Sequence, residues 1–184
     1  KNHGTLPLTL KGTKHVNPIY YEELLGSAQC KSTVMLASLF ANGWTKLKCK
    51  KSRSHTELLF KHLKIPIKIK KTKNFDFIDI KGCQNFKAFS YKIPGDISSA
   101  AFLIVLTLLS KNSKLTIKNV NVNKTRTGIL DILNMMGAGI ILKNKKTYNG
   151  EEIADIFIKS KKKLKSIKCK KEFNSRAIDE MLLI

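Results

Sequence analysis

Apolar and polar positions along the chain change period several times, and the changes mark out elements. From Ser27-Ala28-Gln29 to about Ala41 the apolar residues fall at helical spacing. A short turn at Asn42-Gly43 follows, then strand-like alternation over Thr45–Cys49. A polar link, Lys50–Ser54, leads to a predicted helix, His55–Leu63, and a strand, Ile65–Ile69. After about 70 residues the order recurs, a period suited to a supersecondary unit. Ile97–Leu109 reads as the helix, Lys111–Ser113 as the turn and Leu115–Ile117 as the strand. A link, Asn119–Thr125, a helix, Arg126–Met136, a turn at Gly137 and a strand, Gly139–Leu142, complete the echo. Each copy closes on a further strand, Phe75–Ile80 or Ile153–Ile158. The pattern predicts repeated helix–strand–helix–strand–strand units, with helices inside and strands facing outward.

The second copy opens on the most distinctive segment, Ile93-Pro94-Gly95-Asp96-Ile97-Ser98-Ser99-Ala100-Ala101-Phe102. Pro presets one φ and Gly permits a positive one, so Pro-Gly-Asp is turn chemistry. Asp96 and Ser98 can each cap the following helix by accepting backbone N–H bonds. Ala100–Leu109 is small and apolar enough to be buried on nearly all sides. A sharp turn feeding a core helix marks a hinge or an anion-facing site.

Composition adds limits. The chain has 184 residues and is 42% hydrophobic, enough for one domain or two small ones with a folded core. The longest apolar run, Ala100–Leu109, falls short of the roughly 20 residues that a bilayer span needs, so no membrane association is expected. No signal-peptide pattern opens the chain. It begins on Lys1 and stops within Met181-Leu182-Leu183-Ile184, which reads as the interior of a longer protein. Cys30, Cys49, Cys83 and Cys169 lie far apart, which argues against a zinc site or a disulfide framework. Buried free thiols at Cys30 and Cys49, in a reducing cytoplasm, are expected.

The net charge of +22 invites a nucleic-acid reading, and the identity of the cations weakens it. Only Arg53, Arg126 and Arg176 are arginines among 35 basic residues, whereas recognition of phosphates and bases favours the Arg fork. Lysines are spread over every solvent-facing segment, and Lys159–Lys171 reads as a solvated loop and strand edge. No zinc finger, aromatic RNA-binding strand or basic recognition helix is present. Non-specific polyanion adhesion, rather than a specific nucleic-acid partner, is the expected consequence.

Candidate chemistry then falls on few residues. Ser27 would cap a helix whose opening N–H groups have no internal partners, a ready anion site, and Gln29 adds an amide that donates and accepts. Arg53, in a polar segment of a lysine-rich chain, offers two-pronged donor geometry. Arg126 and Arg176 suit a structural role, as a helix-end cap or a carboxylate partner, and a functional one equally well. Asp179 and Glu180 open an apolar helix pattern, where a carboxylate is either a dipole partner or a general base. His3 and His15 read as loop residues, and His55 fits either a helix start or a position beside a ligand. No metal-ligand spacing appears among the histidines.

Together these segments resemble the 3-phosphoshikimate 1-carboxyvinyltransferases, the EPSP synthases. The matching runs, in order, are Leu6-Pro7-Leu8-Thr9-Leu10-Lys11-Gly12, Ser27-Ala28-Gln29-Cys30-Lys31-Ser32, Lys51-Ser52-Arg53-Ser54-His55-Thr56-Glu57, Pro94 to Phe102, Thr125-Arg126-Thr127-Gly128-Ile129-Leu130-Asp131 and Ile178-Asp179-Glu180. Ser-Ala-Gln resembles a bacterial subgroup. The resemblance implies an α/β (α+β) fold, the inside-out α/β barrel built of βαββαβ units, present here in part. It implies a first domain through residue 94 and a truncated second domain over 95–184, with Pro-Gly-Asp as the hinge.

By the same resemblance, the reaction transfers the enolpyruvyl group of phosphoenolpyruvate to the 5-hydroxyl of shikimate 3-phosphate, on the way to chorismate and the aromatic amino acids. Ser27, Ala28 and Arg53 would hold the phosphate of shikimate 3-phosphate. Gln29 would touch both substrates, and Asp179 would contact the ring hydroxyls and act as proton acceptor. No cofactor or metal is implied, and a monomer is expected. The family's N-terminal Lys segment, and the Arg, Lys and Glu residues that serve phosphoenolpyruvate, have no counterpart in this chain. The fragment alone should be inactive. A sister transferase acting on a UDP-sugar, or a basic polyanion-binding module, are the alternatives.

Overall fold

The computed structural model describes residues 6–82, 85, 87–170 and 173–184. His3, Cys83 and the last residue of the 159–171 tract lie outside them. Two sheets form, each with helices packed against it. The first contains β1 (Tyr20–Glu23), β2 (Trp44–Lys50), β3 (Ile67–Lys71) and β4 (Phe75–Lys81), in the order β1-β2-β4-β3. The second contains β5 (Lys114–Asn121), β6 (Ile141–Tyr148) and β7 (Glu151–Lys159), in the order β5-β7-β6. The helices are α1 (Ala28–Ser38), α2 (His55–His62), α3 (Ile97–Leu109), α4 (Gly128–Met135) and α5 (Asn174–Ala177), and a 3₁₀ helix covers Ile178–Leu183.

The repeat expected from the pattern is visible in the pairing. β4 lies antiparallel between β2 and β3, as β7 does between β5 and β6. β1 runs parallel to β2 just before α1, and a single parallel bridge, Gly95 to Val120, stands at the same place before α3. Alternation decides which strand faces turn inward. In β2, Thr45, Leu47 and Cys49 are buried, while Trp44, Lys46 and Lys50 are exposed. In β4, Ile78 and Ile80 are fully buried. β6 is exposed throughout and carries Lys143, Lys145 and Lys146, charges that discourage pairing at a free edge.

Each sheet has its own core. Met35, Leu39, Leu47, Phe60, Ile78 and Ile80 pack together in the first, and Ile97, Ala101, Ile104, Leu108, Ile129, Leu133, Ile156 and Ile158 in the second. Two expectations need correction. Helix α3 is not buried on nearly all sides: β5, β7 and the 3₁₀ helix cover Ile97, Ala101, Ile104 and Leu108, while Phe102, Leu103, Leu106 and Leu109 are exposed. Cys30 is also exposed, because it lies outside the stripe of α1 that buries Lys31, Met35 and Ser38; Cys49 is buried as expected. Burial pushes the Cys49 thiol up to about 11.

A polar seam joins the two sheets. His55 Nδ1 lies 2.6 Å from Glu151 Oε1, and Asn123 Nδ2 donates to Glu151 Oε2 at 3.2 Å and to Ser54 Oγ at 3.3 Å. Burial raises the Glu151 carboxyl, but the hydrogen bond and charge of His55, with the Asn121 and Asn123 amides, outweigh it and hold the group below the ordinary carboxylate range.

Candidate functional site

The Ser27 side chain accepts from Cys30 N at 3.2 Å, so the start of α1 is capped as the sequence predicts. The turn before it is fixed by Glu23, a buried carboxylate that accepts from Leu25 N at 2.9 Å and Gly26 N at 2.8 Å. Gly26 adopts φ +81°, a left-handed conformation that suits glycine. These bonds aim the opening turn of α1, with Ser27, Ala28 and Gln29, at a cleft of about 1300 Å³.

Arg53 and Asp179 line the same cleft, so the five residues to which the resemblance assigns substrate contacts lie together, whereas Arg126, Glu180 and His55 do not line it. Arg53 Nη2 lies 2.5 Å from Asp179 Oδ2. This pair spans the cleft from the link before α2 to the 3₁₀ helix. The remaining charge around it is positive: Lys50, Lys51, Lys73, Lys124 and Arg176 also line the walls. A surface of several cations and one carboxylate, with a helix N-terminus at its edge, suits a small ligand of multiple negative charge.

The segment carrying Asp179 is braced from two directions. Arg126 lies 2.7 Å from Asp96 Oδ1 and donates to Ser98 Oγ at 3.0 Å, and Ser98 in turn donates to Glu180, which is buried. Asp96 also accepts from Ser99 N at 2.9 Å, capping α3. Burial raises the Asp96 carboxyl; bonds from Ser99 and the Arg126 charge outweigh that and lower it. Arg176 donates to Lys124 O at 2.7 Å and pairs with Asp131 at 2.5 Å. Arg126 and Arg176 are therefore tied to protein groups, and His55 to Glu151, in the bonds described above.

One participant has no sequence signal beyond its place in the Ser27 run. Lys31 is 1% exposed, and its ammonium donates to Arg53 O at 2.7 Å and to Glu57 Oε1 at 2.6 Å. A lysine at helical spacing reads as a solvated face, and its carboxylate lies 26 residues away. Among the described residues no three His, Cys, Asp or Glu side chains cluster as a metal site. Among the described residues no helix is long and apolar enough to cross a membrane.

The chain is thus an α/β protein of two sheets, each with helices packed against it, and a cleft lined mainly by cations. An EPSP synthase from Acinetobacter baumannii superposes with a TM-score of 0.82 at 34% identity, over 98% of this chain and 40% of that one. The 3-phosphoshikimate 1-carboxyvinyltransferase of Petrotoga mobilis is 42% identical over the whole chain, and that of Thermoanaerobacter sp. 44% identical over 97% of it. The family model described as EPSP synthase (3-phosphoshikimate 1-carboxyvinyltransferase) matches residues 1–184, and the chain belongs to that family. It spans about two fifths of the length of these relatives.

Proposed function

We propose that this chain forms the shikimate 3-phosphate side of a 3-phosphoshikimate 1-carboxyvinyltransferase. The observation that carries the reading is the gathering of the α1 N-terminus, Gln29, Arg53 and Asp179 around one basic cleft. The relatives carry the name of that activity over lengths that exceed this chain. Residues up to 94 would belong to one domain and those from 95 to the other. The Pro94-Gly95-Asp96 turn would be the hinge. A cytoplasmic monomer fits this role.

In this reading the phosphate of shikimate 3-phosphate accepts from Ser27, the Ala28 N–H and Arg53. The Arg53 guanidinium exchanges the Asp179 carboxylate for the phosphate, leaving Asp179 free to face the ring hydroxyls. Asp179 takes the proton of the 5-hydroxyl as the hydroxyl oxygen bonds to C2 of phosphoenolpyruvate, and C3 takes a proton from a general acid supplied by the rest of the enzyme, which gives a tetrahedral intermediate. Loss of phosphate from C2 and of a proton from C3 restores the double bond. Gln29 lies between the two anions and holds both. Positioning of two anionic substrates and exclusion of water by domain closure supply the acceleration.

The test follows phosphate release from phosphoenolpyruvate by the complete reading frame, with and without shikimate 3-phosphate. Release that strictly requires shikimate 3-phosphate is expected, and Arg53→Ala or Gln29→Ala should lower it by about 10–100-fold, the worth of a hydrogen bond to a charged group. Near-normal turnover in both variants refutes the residue assignment. A polyanion module would instead bind without regard to ligand identity and weaken steeply with salt.

A further inference from the structure

We propose that Lys31 is a positioning residue, whose buried ammonium clamps the Arg53 backbone to helix α1 and so fixes the guanidinium against the anion-binding helix N-terminus. The inference rests on the reading of the cleft as a shikimate 3-phosphate site.

Arg53 lies in the link between β2 and α2, outside any helix or strand. Its side chain pairs with Asp179, and in the proposed complex it would leave that carboxylate for the phosphate. What holds the backbone is therefore decisive once the ligand arrives. The Lys31 ammonium supplies that hold with a 2.7 Å bond to the Arg53 carbonyl, and Glu57, 2.6 Å away, neutralises it. Lys31 stands one turn after Ser27, whose carbonyl accepts from Lys31 N at 3.2 Å. One side chain thus links the two halves of the anion site, the helix start and the arginine. A second link runs alongside, between Ser32 Oγ and Thr56 Oγ1 at 2.7 Å.

At 1% exposure Lys31 is not itself a ligand-contacting cation. Nor is core stability a sufficient reason for it, because a buried ion pair is often matched or exceeded by a well-packed apolar pair of the same volume. An apolar pair cannot, however, donate to the Arg53 carbonyl. The bond to Arg53 is the property that requires an ammonium at this place.

Lys31→Met alone leaves Glu57 buried without its partner and can unfold the protein, so the test uses Lys31→Met with Glu57→Met in the complete reading frame. The thermal midpoint should stay within a few degrees of wild type. Calorimetry should show the Kd for shikimate 3-phosphate raised about tenfold or more, while the KM for phosphoenolpyruvate changes less than about twofold. A folded double variant with the wild-type Kd overturns the proposal. A double variant that fails to fold assigns Lys31 to the core and overturns it too. Wild-type protein that neither binds shikimate 3-phosphate nor requires it for phosphate release removes the underlying reading, a result distinct from either.

Discussion

Gly128 offers a test of how tightly the Asp179 segment is placed. It opens α4, and a Cβ built on it would lie 2.9 Å from both the carbonyl carbon and Cβ of Arg176, and 3.0 Å from Ala177 Cβ. Ordinary carbon–carbon contacts lie near 3.5–4.0 Å, so Gly128→Ala must push α5 back by roughly 0.5–1 Å. Two of the obstructing atoms are the backbone carbon and Cβ of Arg176, which no rotamer change removes. Overpacking of this kind costs about 1–3 kcal/mol, against at most about 1 kcal/mol gained from alanine's helix propensity. A net loss of about 1–2 kcal/mol corresponds to a Tm about 2–8 °C lower in a chain of this size. Asp179 lies three residues beyond Arg176, and a misplacement approaching 1 Å can cost up to about 100-fold in rate. Gly128→Ala should therefore lower shikimate 3-phosphate-dependent phosphate release by about 10–100-fold at temperatures where it is fully folded. Gly137→Ala is the control. Gly137 adopts φ +92° with open space where a Cβ would go, so alanine there costs about 1–2 kcal/mol of backbone strain without moving α5. Equal activity losses in the two variants, or wild-type Tm and turnover in Gly128→Ala, would refute the reasoning.

Two further outcomes test the seam and the core. Glu151 is held below its ordinary value near 4.5, so its contribution to stability is whole above that value and is lost as pH falls through the lower folded-state value. Urea midpoints measured from pH 7 to pH 3 should fall in wild type below about pH 4.5, and Glu151→Gln should flatten that limb; an unchanged slope in the variant excludes the Glu151 contribution. Burial raises the Cys49 thiol to about 11, whereas Cys30 and Cys169 are exposed. Iodoacetamide at pH 8, followed by peptide mapping, should modify Cys30 and Cys169 in the native chain and reach Cys49 only after unfolding; labelling of all three at one rate would contradict the packing of β2.

Local rules carried most of the elements. Ser27 and Asp96 cap α1 and α3 through their side chains, and alternation places Leu47, Cys49, Ile78 and Ile80 inward on β2 and β4. β1 carries no local signal because Tyr20–Glu23 is too short for a period to register, and its pairing with β2 is dictated by residues 26 positions away. Helix α1 shows the opposite failure. It buries Lys31 and exposes Leu36, an inversion of hydropathy that makes sense only once Glu57 and the Arg53 carbonyl are placed beside the ammonium. The same inversion put Cys30 on the wrong side in the sequence reading. The apolar pattern that opens at Asp179 and Glu180 suggests a helix, and the chain makes a short α5 running into a 3₁₀ helix over Ile178–Leu183, with Ser98 bonded to Glu180. Side-chain bonds across 82 residues leave no mark in a local window.

The distribution of cations has a physical logic that composition alone obscures. The lysines lining the cleft, Lys50, Lys51, Lys73 and Lys124, are exposed and keep their hydration. The three arginines are partly buried, with 24–29% of each side chain exposed, and each meets a carboxylate: Arg53 with Asp179, Arg126 with Asp96, Arg176 with Asp131. A guanidinium tolerates partial burial better than an ammonium because it is weakly hydrated and offers a planar fork of donors. Two of these forks serve the frame, since Arg126 ties the α3 turn to the Glu180 segment and Arg176 ties α5 to the Lys124 carbonyl and α4. Arg53 differs in that its carboxylate partner, unlike Asp96 and Asp131, itself lines the cleft. In the proposed role, a dianionic phosphate would compete for that fork better than a solvated carboxylate does, and Arg53 is the arginine whose partner lies where such a ligand would enter.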